Sequence, residues 1–517
     1  MPSQDGGASS DDSALIRTKT LEFDDVLQGV GDFSRFQLIQ WTLLVMVSMP
    51  QVWYTYAPAF EARKVRESQI YCEKVLNVSG TDICSQRIWL NTTFCGDLQY
   101  QSDFTSIATD WNLICEDAKK YIPLTKTIFY AGKLVGAYLF GWISDRYGRR
   151  VTLLSTMFIQ FVASLIQSFS VNFTMYVILR IPLGICSGGL FIAAFTLMNE
   201  MVRPNRRMLG ATIVMCFLGV SLTLQSLLAY FVRNWRNFNH VITIPTVLSA
   251  VCYWLIPESP RWLAARGRTR EAEVILHKIA STNRREYKDG KLEQLKVKKK
   301  RKTYHLWHLF STTYLTKITV IEGWSWLVTS GVFYGLAFNS GNLSGNFYLN
   351  FAASGMVEIP APLIAGYFIE RIGRRKPLIA YYVLAGVSLL CILPIQALDK
   401  QVELSAIVMA LALIGKFSIS AAYYQIYIYS AELYPTVIRV AGLGFASLCA
   451  RIGGMAAPYV VDSTPLIVPC ILFGAASISA GIGTVFLPET LGRPLPDHIH
   501  KKDSQTIEAN GKMIALE

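Results

Sequence analysis

Ionisable side chains within apolar stretches are the residues of this sequence best suited to chemistry. They are Lys126, Lys133, Arg180, Glu322, Glu358, Lys416 and Arg451. Burying a charge in apolar surroundings is costly unless it faces water or a partner, so these residues predict a polar cavity. Arg451 is the most informative, because a guanidinium can bind a carboxylate through two parallel hydrogen bonds. The alternative is that Arg451 forms a fixed internal salt bridge with Glu358.

The other charged residues could either contact the substrate or have structural roles. Lys126 and Lys133 are seven residues apart and therefore share a helix face with Tyr130. Lys126 could instead extend towards the membrane interface, whereas Lys133 lies deeper. The surplus of Lys133, Lys416 and Arg451 favours anionic substrates. Together with Glu358, the same arginine also suits a substrate that carries both charges.

Aromatic and amide side chains supply the rest of a candidate site for amphipathic organic ions. Aromatic rings stack on flat groups and attract cations through their faces. An amide deep in a helix that is kinked by proline needs a polar neighbour. These criteria select Phe333, Tyr334, Tyr424, Tyr427 and, directly after Pro50, Gln51.

The elements that must position these residues are membrane-spanning helices. With 52% hydrophobic and only 16% charged residues, a chain of 517 residues is unlike a soluble protein of that size. The polar first 35 residues contain no signal-peptide pattern. Twelve apolar runs are long enough to cross a bilayer. They are 36–60, 122–143, 151–169, 173–198, 208–232, 238–256, 314–338, 346–369, 377–397, 403–430, 437–462 and 465–487.

Two long polar segments predict the orientation of the chain. Segment 61–121 has 7 basic and 9 acidic residues, whereas segment 257–302 has 15 basic and 6 acidic residues. Because basic loops remain in the cytoplasm, we expect the second segment and both termini there and the first segment outside. The basic run 296–302 is expected to meet anionic membrane lipid rather than nucleic acid.

The first loop carries marks of an extracellular segment. We expect two disulfides there, with the pairing left open among three options, and two N-glycosylation sites. The cysteines are Cys72, Cys84, Cys95 and Cys115, and the acceptor asparagines are Asn77 and Asn91.

The two halves of the chain repeat one another. The stretch Gly141–Arg150 recurs 225 residues later as Gly366–Arg375, after the second run of each half. Because each half has six runs, the copies insert in the same orientation as a parallel repeat. The charges in these matched places predict pairs that latch the cytoplasmic ends of the two halves and gate transport. They are Asp145, Arg146, Arg149, Glu200, Glu370, Arg371, Arg374, Glu432 and Arg439.

The chain resembles the major facilitator superfamily and, within it, the organic cation, organic anion and carnitine transporter family. The resemblance rests on 30–37 (VGDFSRFQ), 111–116 (WNLICE), 257–262 (PESPRW) and 431–436 (AELYPT). It implies an all-α membrane protein of twelve helices in two six-helix bundles. Arg451 matches the position at which the anion and carnitine branches carry an arginine. The chain departs from this family in two places. Its first loop has only four cysteines, and Pro362 occupies a position at which the anion branch commonly has lysine.

The resulting hypothesis is a plasma-membrane transporter that moves small organic ions by alternating access. Organic anions or carboxylate-bearing zwitterions are favoured; the alternatives are an organic cation transporter, a sugar porter and a receptor on the same scaffold. We expect no enzyme activity, cofactor or metal site, function as a monomer, and exchange against a counter-ion as one mode. The expected segments are 1–35 cytoplasmic, 36–256 first bundle, 257–313 basic loop, 314–487 second bundle and 488–517 tail.

Overall fold

The computed structural model describes most of the chain. The described residues are 23–65, 69–72, 98–251, 254–287, 290, 292, 306–343, 345–465 and 467–493. The helices of the first half are α1 (Phe23–Val30), α2 (Arg35–Val47), α3 (Met49–Glu61), α4 (Ile107–Asp110), α5 (Cys115–Tyr147), α6 (Arg149–Ser168), α7 (Phe173–Glu200), α8 (Pro204–Phe231) and α9 (Trp235–Val251). Those of the linker and second half are α10 (Pro260–Ala265), α11 (Thr269–Thr282), α12 (Thr313–Asn339), α13 (Phe347–Val357), α14 (Pro360–Arg371), α15 (Arg375–Leu390), α16 (Leu393–Ala397), α17 (Ser405–Leu433), α18 (Arg439–Asp462) and α19 (Ile467–Val485).

These helices make twelve membrane spans in two bundles of six. The first bundle comprises α2 with α3, followed by α5 to α9; the second comprises α12, α13 with α14, α15 with α16, and α17 to α19. Eight spans meet a strict criterion of length and hydropathy. Among the others, the first span is divided into two 13-residue helices, and α9 is described over only 17 residues. Two short strands, β1 (Ile70–Cys72) and β2 (Leu98–Tyr100), pair antiparallel in the first loop.

Proline explains the two breaks closest to the centre of the molecule. Pro50 lies in the first turn of α3, where its missing N–H is tolerated, so α2 ends just before it. In the eighth span Pro360 begins α14, and Glu358 follows the last residue of α13. The break therefore places a carboxylate deep in the membrane, between two helical segments.

Glycine explains the close approach of the helices within each bundle. A Cβ atom on Gly136 of α5 would lie 1.9 Å from the carbonyl oxygen of Ile185 in α7. A Cβ on Gly453 of α18 would lie 2.1 Å from the carbonyl oxygen of Leu327 in α12. Small residues of this kind let membrane helices pack backbone against backbone. The second span thus packs closely on the fourth in the first bundle, and the seventh packs closely on the eleventh in the second.

The ends of the spans form two faces of different composition. The face that carries α4, β1 and β2 is called the loop face, and the face that carries α1, α10, α11 and residues 486–493 is called the terminal face. On the terminal face the Asn283 side chain donates to the Val30 carbonyl at 3.0 Å and accepts from the Phe36 amide at 2.9 Å. Two short helices follow the first bundle on this face, because Gly267, with φ of +75°, separates α10 from α11.

Candidate functional site: a charged cavity between the bundles

A cavity of ≈ 130 Å³ lies between the two bundles. Of the nine side chains predicted to bind substrate, eight line it: Gln51, Lys133, Phe333, Tyr334, Glu358, Tyr424, Tyr427 and Arg451. The ninth, Lys416, lies behind the wall. Segments far apart in the sequence therefore meet at one polar site.

Arg451 enters the cavity from α18 without an acidic partner. Its Nη1 atom donates to the carbonyl oxygen of Ser447 at 3.0 Å and, at shorter range, to the Ser447 hydroxyl. Its buried Nε has no hydrogen-bond partner in the described part of the chain. The expected alternative, a salt bridge with Glu358, is not formed. The guanidinium keeps hydrogen-bonding capacity for a group in the cavity.

Glu358 is neutralised by a different residue. Its Oε1 atom lies 2.7 Å from Nζ of Lys416, and both side chains are almost fully buried. Lys416 also donates to the carbonyl oxygen of Phe333 at 3.0 Å and lies 3.4 Å from the centre of the Phe333 ring. These contacts fill the space around the ammonium group. Lys416 therefore compensates an acid of the wall and does not itself border the cavity.

Lys133 reaches the cavity from the opposite bundle. Its Nζ atom donates to the hydroxyl of Thr55 at 3.1 Å. The rings of Phe129 and Tyr130 lie 5.4 and 5.6 Å from the ammonium group. Among the described residues no carboxylate pairs with it. Lys133 thus resembles Arg451 in being a cation solvated only by neutral groups.

Aromatic rings surround these charges and cross the boundary between the bundles. Tyr130 of α5 packs against Tyr334 of α12, with ring centres 4.8 Å apart. Phe333 packs against Tyr423 at 5.1 Å, and Trp326 packs edge-on against Tyr427 at 4.4 Å. The walls are therefore suited to flat or cationic groups.

Several residues at this site were not selected from the sequence. Thr55, Tyr56 and Tyr130 line the cavity, yet they lie among apolar neighbours that give no period or charge to distinguish them. Asp462 was also missed, although it is an acid at the end of an apolar run. That feature could have identified it as a partner for one of the membrane lysines.

Lys126 and Asp462 form an ion pair that joins the two bundles. Nζ of Lys126 in α5 lies 2.6 Å from Oδ2 of Asp462 in α18, and the side chains are 5% and 6% exposed. Asp462 is the last residue of α18, so the pair lies towards the loop face. Of the two alternatives left open for Lys126, extension to the membrane interface does not occur, because a buried carboxylate is within its reach.

Neighbouring contacts close the loop face around this ion pair. Lys64 donates to the carbonyl oxygen of Asp462, and Ser463 donates to that of Lys119 at 2.6 Å. The guanidinium of Arg63 lies 4.1 Å from the ring centre of Phe104 and 4.2 Å from that of Phe347. First-bundle and first-loop residues are thereby tied to the second bundle. The cavity is sealed on this side.

Charges on the terminal face are paired within single bundles. Arg149, at the start of α6, donates to both carboxylate oxygens of Glu200 in α7 at 3.1 and 2.9 Å, and lies 3.1 Å from Asp145. Its Nη1 also donates to the carbonyl oxygen of Ser144 at 2.8 Å. All four residues belong to the first bundle. In this conformation they therefore do not latch one bundle to the other.

The second bundle repeats the arrangement. Arg374 donates through Nε and Nη2 to the carboxylate of Glu432 at 2.9 Å, and through Nη1 to the carbonyl oxygen of Ile369 at 3.1 Å. The remaining predicted gating residues have local contacts. Arg146 and Arg371 lie over the rings of Tyr147 and Tyr367, respectively, and Glu370 is exposed near the end of α14. Arg439 donates to the carbonyl oxygen of Tyr434 at 3.4 Å.

Two further carboxylates cap the helices that carry these arginines. Glu258 accepts from the backbone amides of Arg149 at 3.0 Å and Arg150 at 3.1 Å. Glu489 accepts from the amides of Arg374 at 2.8 Å and Arg375 at 3.0 Å. Both are anions at helix N-termini, where unpaired amides and the helix dipole favour negative charge.

Glycine makes room for both caps. Gly148 and Gly373 adopt φ of +112° and +108°, a range that favours glycine. A Cβ on Gly148 would lie 2.2 Å from Oε2 of Glu258, and one on Gly373 would lie 2.7 Å from Oε2 of Glu489. Both the backbone conformation and the available space therefore favour glycine at these two positions.

The two caps differ electrostatically, although both lie outside the membrane spans. Burial raises the pKa of Glu258 above its ordinary value and outweighs the amide hydrogen bonds that lower it. Burial also acts to raise the pKa of Glu489, but its hydrogen bonds with backbone amides outweigh that effect and lower the pKa overall. The ionised form is therefore less favoured for Glu258 than for Glu489.

Two other membrane charges lie away from the cavity. Arg180 is buried within the first bundle, where its Nε donates to the carbonyl oxygen of Thr125 at 3.3 Å and its guanidinium lies 4.4 Å from the centre of the Phe129 ring. Glu322 is buried within the second bundle and accepts a hydrogen bond from Ser430. They contribute to the interior of each bundle rather than to the cavity wall.

Much of the first loop lies outside the described residues. This includes Asn77, Asn91, Cys84 and Cys95, so glycosylation and the disulfide pairing stay predictions. Cys115 begins α5 with φ of +55°.

Two six-helix bundles around a polar cavity define a membrane transporter. Residues 81–500 match the family described as "Sugar (and other) transporter". The chain is 34% identical over 474 residues to rat "Organic cation/carnitine transporter 2", covering 88% of this chain and 84% of that protein. It is 32% identical to a Drosophila melanogaster "Organic cation transporter-like protein", covering 92% of each, and 35% identical to mouse "Solute carrier family 22 member 4", covering 78% and 73%.

Solved structures agree on the fold. The inward open xylose transporter XylE from E. coli aligns with a TM-score of 0.61 and 16% identity, covering 88% of this chain and 98% of that one. The chain belongs to the major facilitator superfamily and, within it, to solute carrier family 22. It is a multi-pass membrane transporter and not an enzyme.

Proposed function

We propose that this protein transports small organic anions that carry a carboxylate across the plasma membrane, by alternating access around the cavity. Arg451 is the residue that binds the carboxylate. The rings of Phe333, Tyr334 and Tyr427 contact the organic body, and Gln51 supplies a hydrogen bond. The names of the relatives support a small organic ion as substrate, and the charges of the cavity support the negative sign.

The observation that carries the proposal is the way in which charges are paired. Glu358 is the acid in the described wall of the cavity, and Lys416 at 2.7 Å already neutralises it. Within the described part of the chain, the hydrogen bonds of Arg451 are made to the neutral Ser447. A charge removed from water needs a counter-charge. The cavity is therefore better suited to an anion than to a cation.

A carboxylate-bearing zwitterion is the second candidate. Three relatives are named organic cation/carnitine transporters, and aromatic faces of the kind that line this cavity bind quaternary ammonium groups. Such a substrate would place its carboxylate at Arg451 and its cation against the rings of Phe333 and Tyr423. Simple cations would lack the first contact.

An uptake screen distinguishes these candidates. The full chain would be expressed in cells and tested with one labelled organic carboxylate, one carnitine-like zwitterion, one quaternary amine and one hexose. Uptake of the carboxylate or the zwitterion is expected. Uptake of only the amine or the hexose would contradict the proposal, and failure of all four with surface expression established would favour a receptor.

Substitution of Arg451 tests its role directly. Arg451→Ala should cost on the order of 2 to 5 kcal/mol of binding, or roughly thirty-fold or more in affinity for carboxylates. Arg451→Lys should recover only part, because it restores the charge without the two-pronged geometry. The matched control is Lys317→Ala, which removes an exposed cation of α12 outside the cavity. Unchanged carboxylate affinity in Arg451→Ala would overturn the assignment.

We also propose that the loop face is extracellular and the terminal face cytoplasmic. The excess of basic residues in 257–302 supports this orientation. If it is correct, peptide-N-glycosidase should increase the gel mobility of protein from a glycosylating cell. Asn77→Gln and Asn91→Gln should each remove part of that shift. Absence of any shift would contradict the extracellular position of the loop.

A further inference from the structure

The cavity contains two cations for which the described residues provide no paired acid, and they come from opposite bundles. Lys133 belongs to α5 of the first bundle, and Arg451 belongs to α18 of the second. The partners of Lys133 are the Thr55 hydroxyl and aromatic rings, and those of Arg451 are oxygens of Ser447. A monovalent carboxylate at Arg451 would leave the charge of Lys133 uncompensated.

The helix geometry places both charges at the same depth. A Cβ on Gly454 of α18 would lie 3.1 Å from Cδ1 of Tyr130 in α5, so these two positions face one another. Lys133 follows Tyr130 by three residues, and Arg451 precedes Gly454 by three. The two helices run in opposite directions, and each residue rises about 1.5 Å. Both charges therefore lie about 4.5 Å from that contact, towards the terminal face.

This depth lies on the terminal-face side of two polar contacts between spans two and eleven. On the loop-face side of Tyr130, Thr127 donates to the carbonyl oxygen of Met455 at 2.9 Å, and Lys126 pairs with Asp462 at 2.6 Å. On the other side, the two cations repel each other.

We propose that Lys133 is a second anion-binding residue and that the preferred substrate carries two acidic groups, one for Lys133 and one for Arg451. The proposal rests on the assignment of Arg451 to the carboxylate and extends it to a substrate class. A diacid bridges the two bundles and replaces the repulsion between the cations with two attractions. Its binding therefore draws the terminal-face halves of spans two and eleven together.

A rigid ligand series tests the proposal with the unaltered protein. Binding of benzoate and of its ortho, meta and para dicarboxylates to purified full-length protein would be measured by calorimetry. At least one dicarboxylate should bind about thirty-fold more tightly than benzoate, at one molecule per chain. The isomer that binds best reports the separation of the two cations. If no isomer binds more tightly than benzoate, the proposal is wrong.

Substitutions of Lys133 test whether this residue causes the preference for a dicarboxylate over benzoate. Lys133→Gln should lose most of the advantage of the dicarboxylate and leave benzoate affinity within about three-fold, while Lys133→Arg should retain the advantage. Lys317→Gln is the matched control, a lysine of a spanning helix that does not line the cavity, and it should match the wild type. Equal losses for benzoate and dicarboxylate in Lys133→Gln would indicate a structural role and overturn the proposal.

The experiments distinguish failure of the Arg451 assignment from failure of the Lys133 assignment. If Arg451→Ala leaves both ligand classes unchanged, the assignment of Arg451 fails, and with it the substrate class. If Arg451→Ala weakens both classes but Lys133→Gln changes neither, only the second anion site fails. Two benzoate molecules bound per chain, without a dicarboxylate preference, would likewise refute a single bridging substrate.

Discussion

The loop face and the terminal face use ion pairs in opposite ways. At the loop face, Lys126 and Asp462 join the first bundle to the second, and both are buried. At the terminal face, Arg149 pairs with Glu200 within the first bundle, and Arg374 pairs with its counterpart within the second. The ion pair at the loop face therefore holds the two bundles together. The ion pairs at the terminal face hold helices together within each bundle.

The difference shows how the molecule can move while keeping its bundles intact. The terminal-face pairs and the caps at Glu258 and Glu489 connect helices that remain together if the bundles rock as rigid bodies. The loop-face pair must break for that face to open. Because it is desolvated, its stability depends on the fit of both partners. The structure is thus held closed at the loop face by contacts between the bundles.

The largest expected effect comes from breaking the pair between the bundles. Asp462→Ala leaves Lys126 buried without its partner, which should cost the closed state about 3 to 5 kcal/mol. The loop face should then open. A cysteine introduced at Ser330 in the cavity should react at least about ten-fold faster with a membrane-impermeant thiol reagent added from the loop side.

A control and a rescue sharpen this test. Asp103→Ala removes an exposed ion pair with Arg233 on the same face, at 2.6 Å, and should not change the labelling rate. The exchange Lys126→Asp with Asp462→Lys should return labelling towards the wild-type rate. Slow labelling in Asp462→Ala would mean that the other loop-face contacts are sufficient for closure.

A smaller effect is expected from the terminal-face arginines. Arg149→Ala and Arg374→Ala each remove a bidentate pair with partly buried carboxylates, which should lower the free energy of unfolding by about 2 kcal/mol. Thermal unfolding of the purified variants measures it. The two losses should be similar because the contacts are repeated.

The control for these variants is Arg268→Ala on the same face. Its pair with Glu271, at 2.7 Å, has side chains 50% and 56% exposed and should contribute little. Faster labelling at Ser330 in Arg149→Ala would contradict the distinction between the faces, since it would show that this arginine also holds the bundles together.

The two caps should respond differently to pH. Removing an N-cap contact costs about 1 kcal/mol, so Glu489→Ala should be destabilised at pH 7.5. Because the pKa of Glu489 is lowered, its contribution is lost only as pH falls through that lowered value. The pKa of Glu258 is raised, so its ionised form costs stability above that value and protonation relieves the cost.

Thermal unfolding between pH 7.5 and pH 5 checks this contrast. Glu258→Gln should remove the part of the pH dependence that favours mildly acid conditions, whereas Glu489→Gln should not. The same pH response in both variants would show that the repeated caps are electrostatically equivalent.

The smallest effect is expected for Asp145→Asn. The Asp145 side chain is 76% exposed, and such pairs four residues apart contribute about 0.3 to 0.5 kcal/mol. Transport should slow by no more than about three-fold with unchanged substrate affinity, because the residue does not line the cavity. Initial-rate kinetics separate the two parameters, and a change confined to affinity would contradict this role.

The fold could be predicted because its signals are local and repeated. Apolar runs of sufficient length identified the twelve spans, and the recurrence of 141–150 at 366–375 identified the duplication. The position of Arg451 among small and apolar neighbours pointed to a cavity because a lone membrane charge requires polar surroundings.

Only the tertiary structure determined which charged side chains form ion pairs with one another. From the sequence, Arg451 was one possible partner for Glu358, but in the structure Glu358 pairs with Lys416. Lys126 could have extended to the membrane interface, but in the structure it pairs with Asp462. Charge type and depth can be read along one helix. Pairing depends on the relative rotation of helices hundreds of residues apart, which the packing of the two bundles determines.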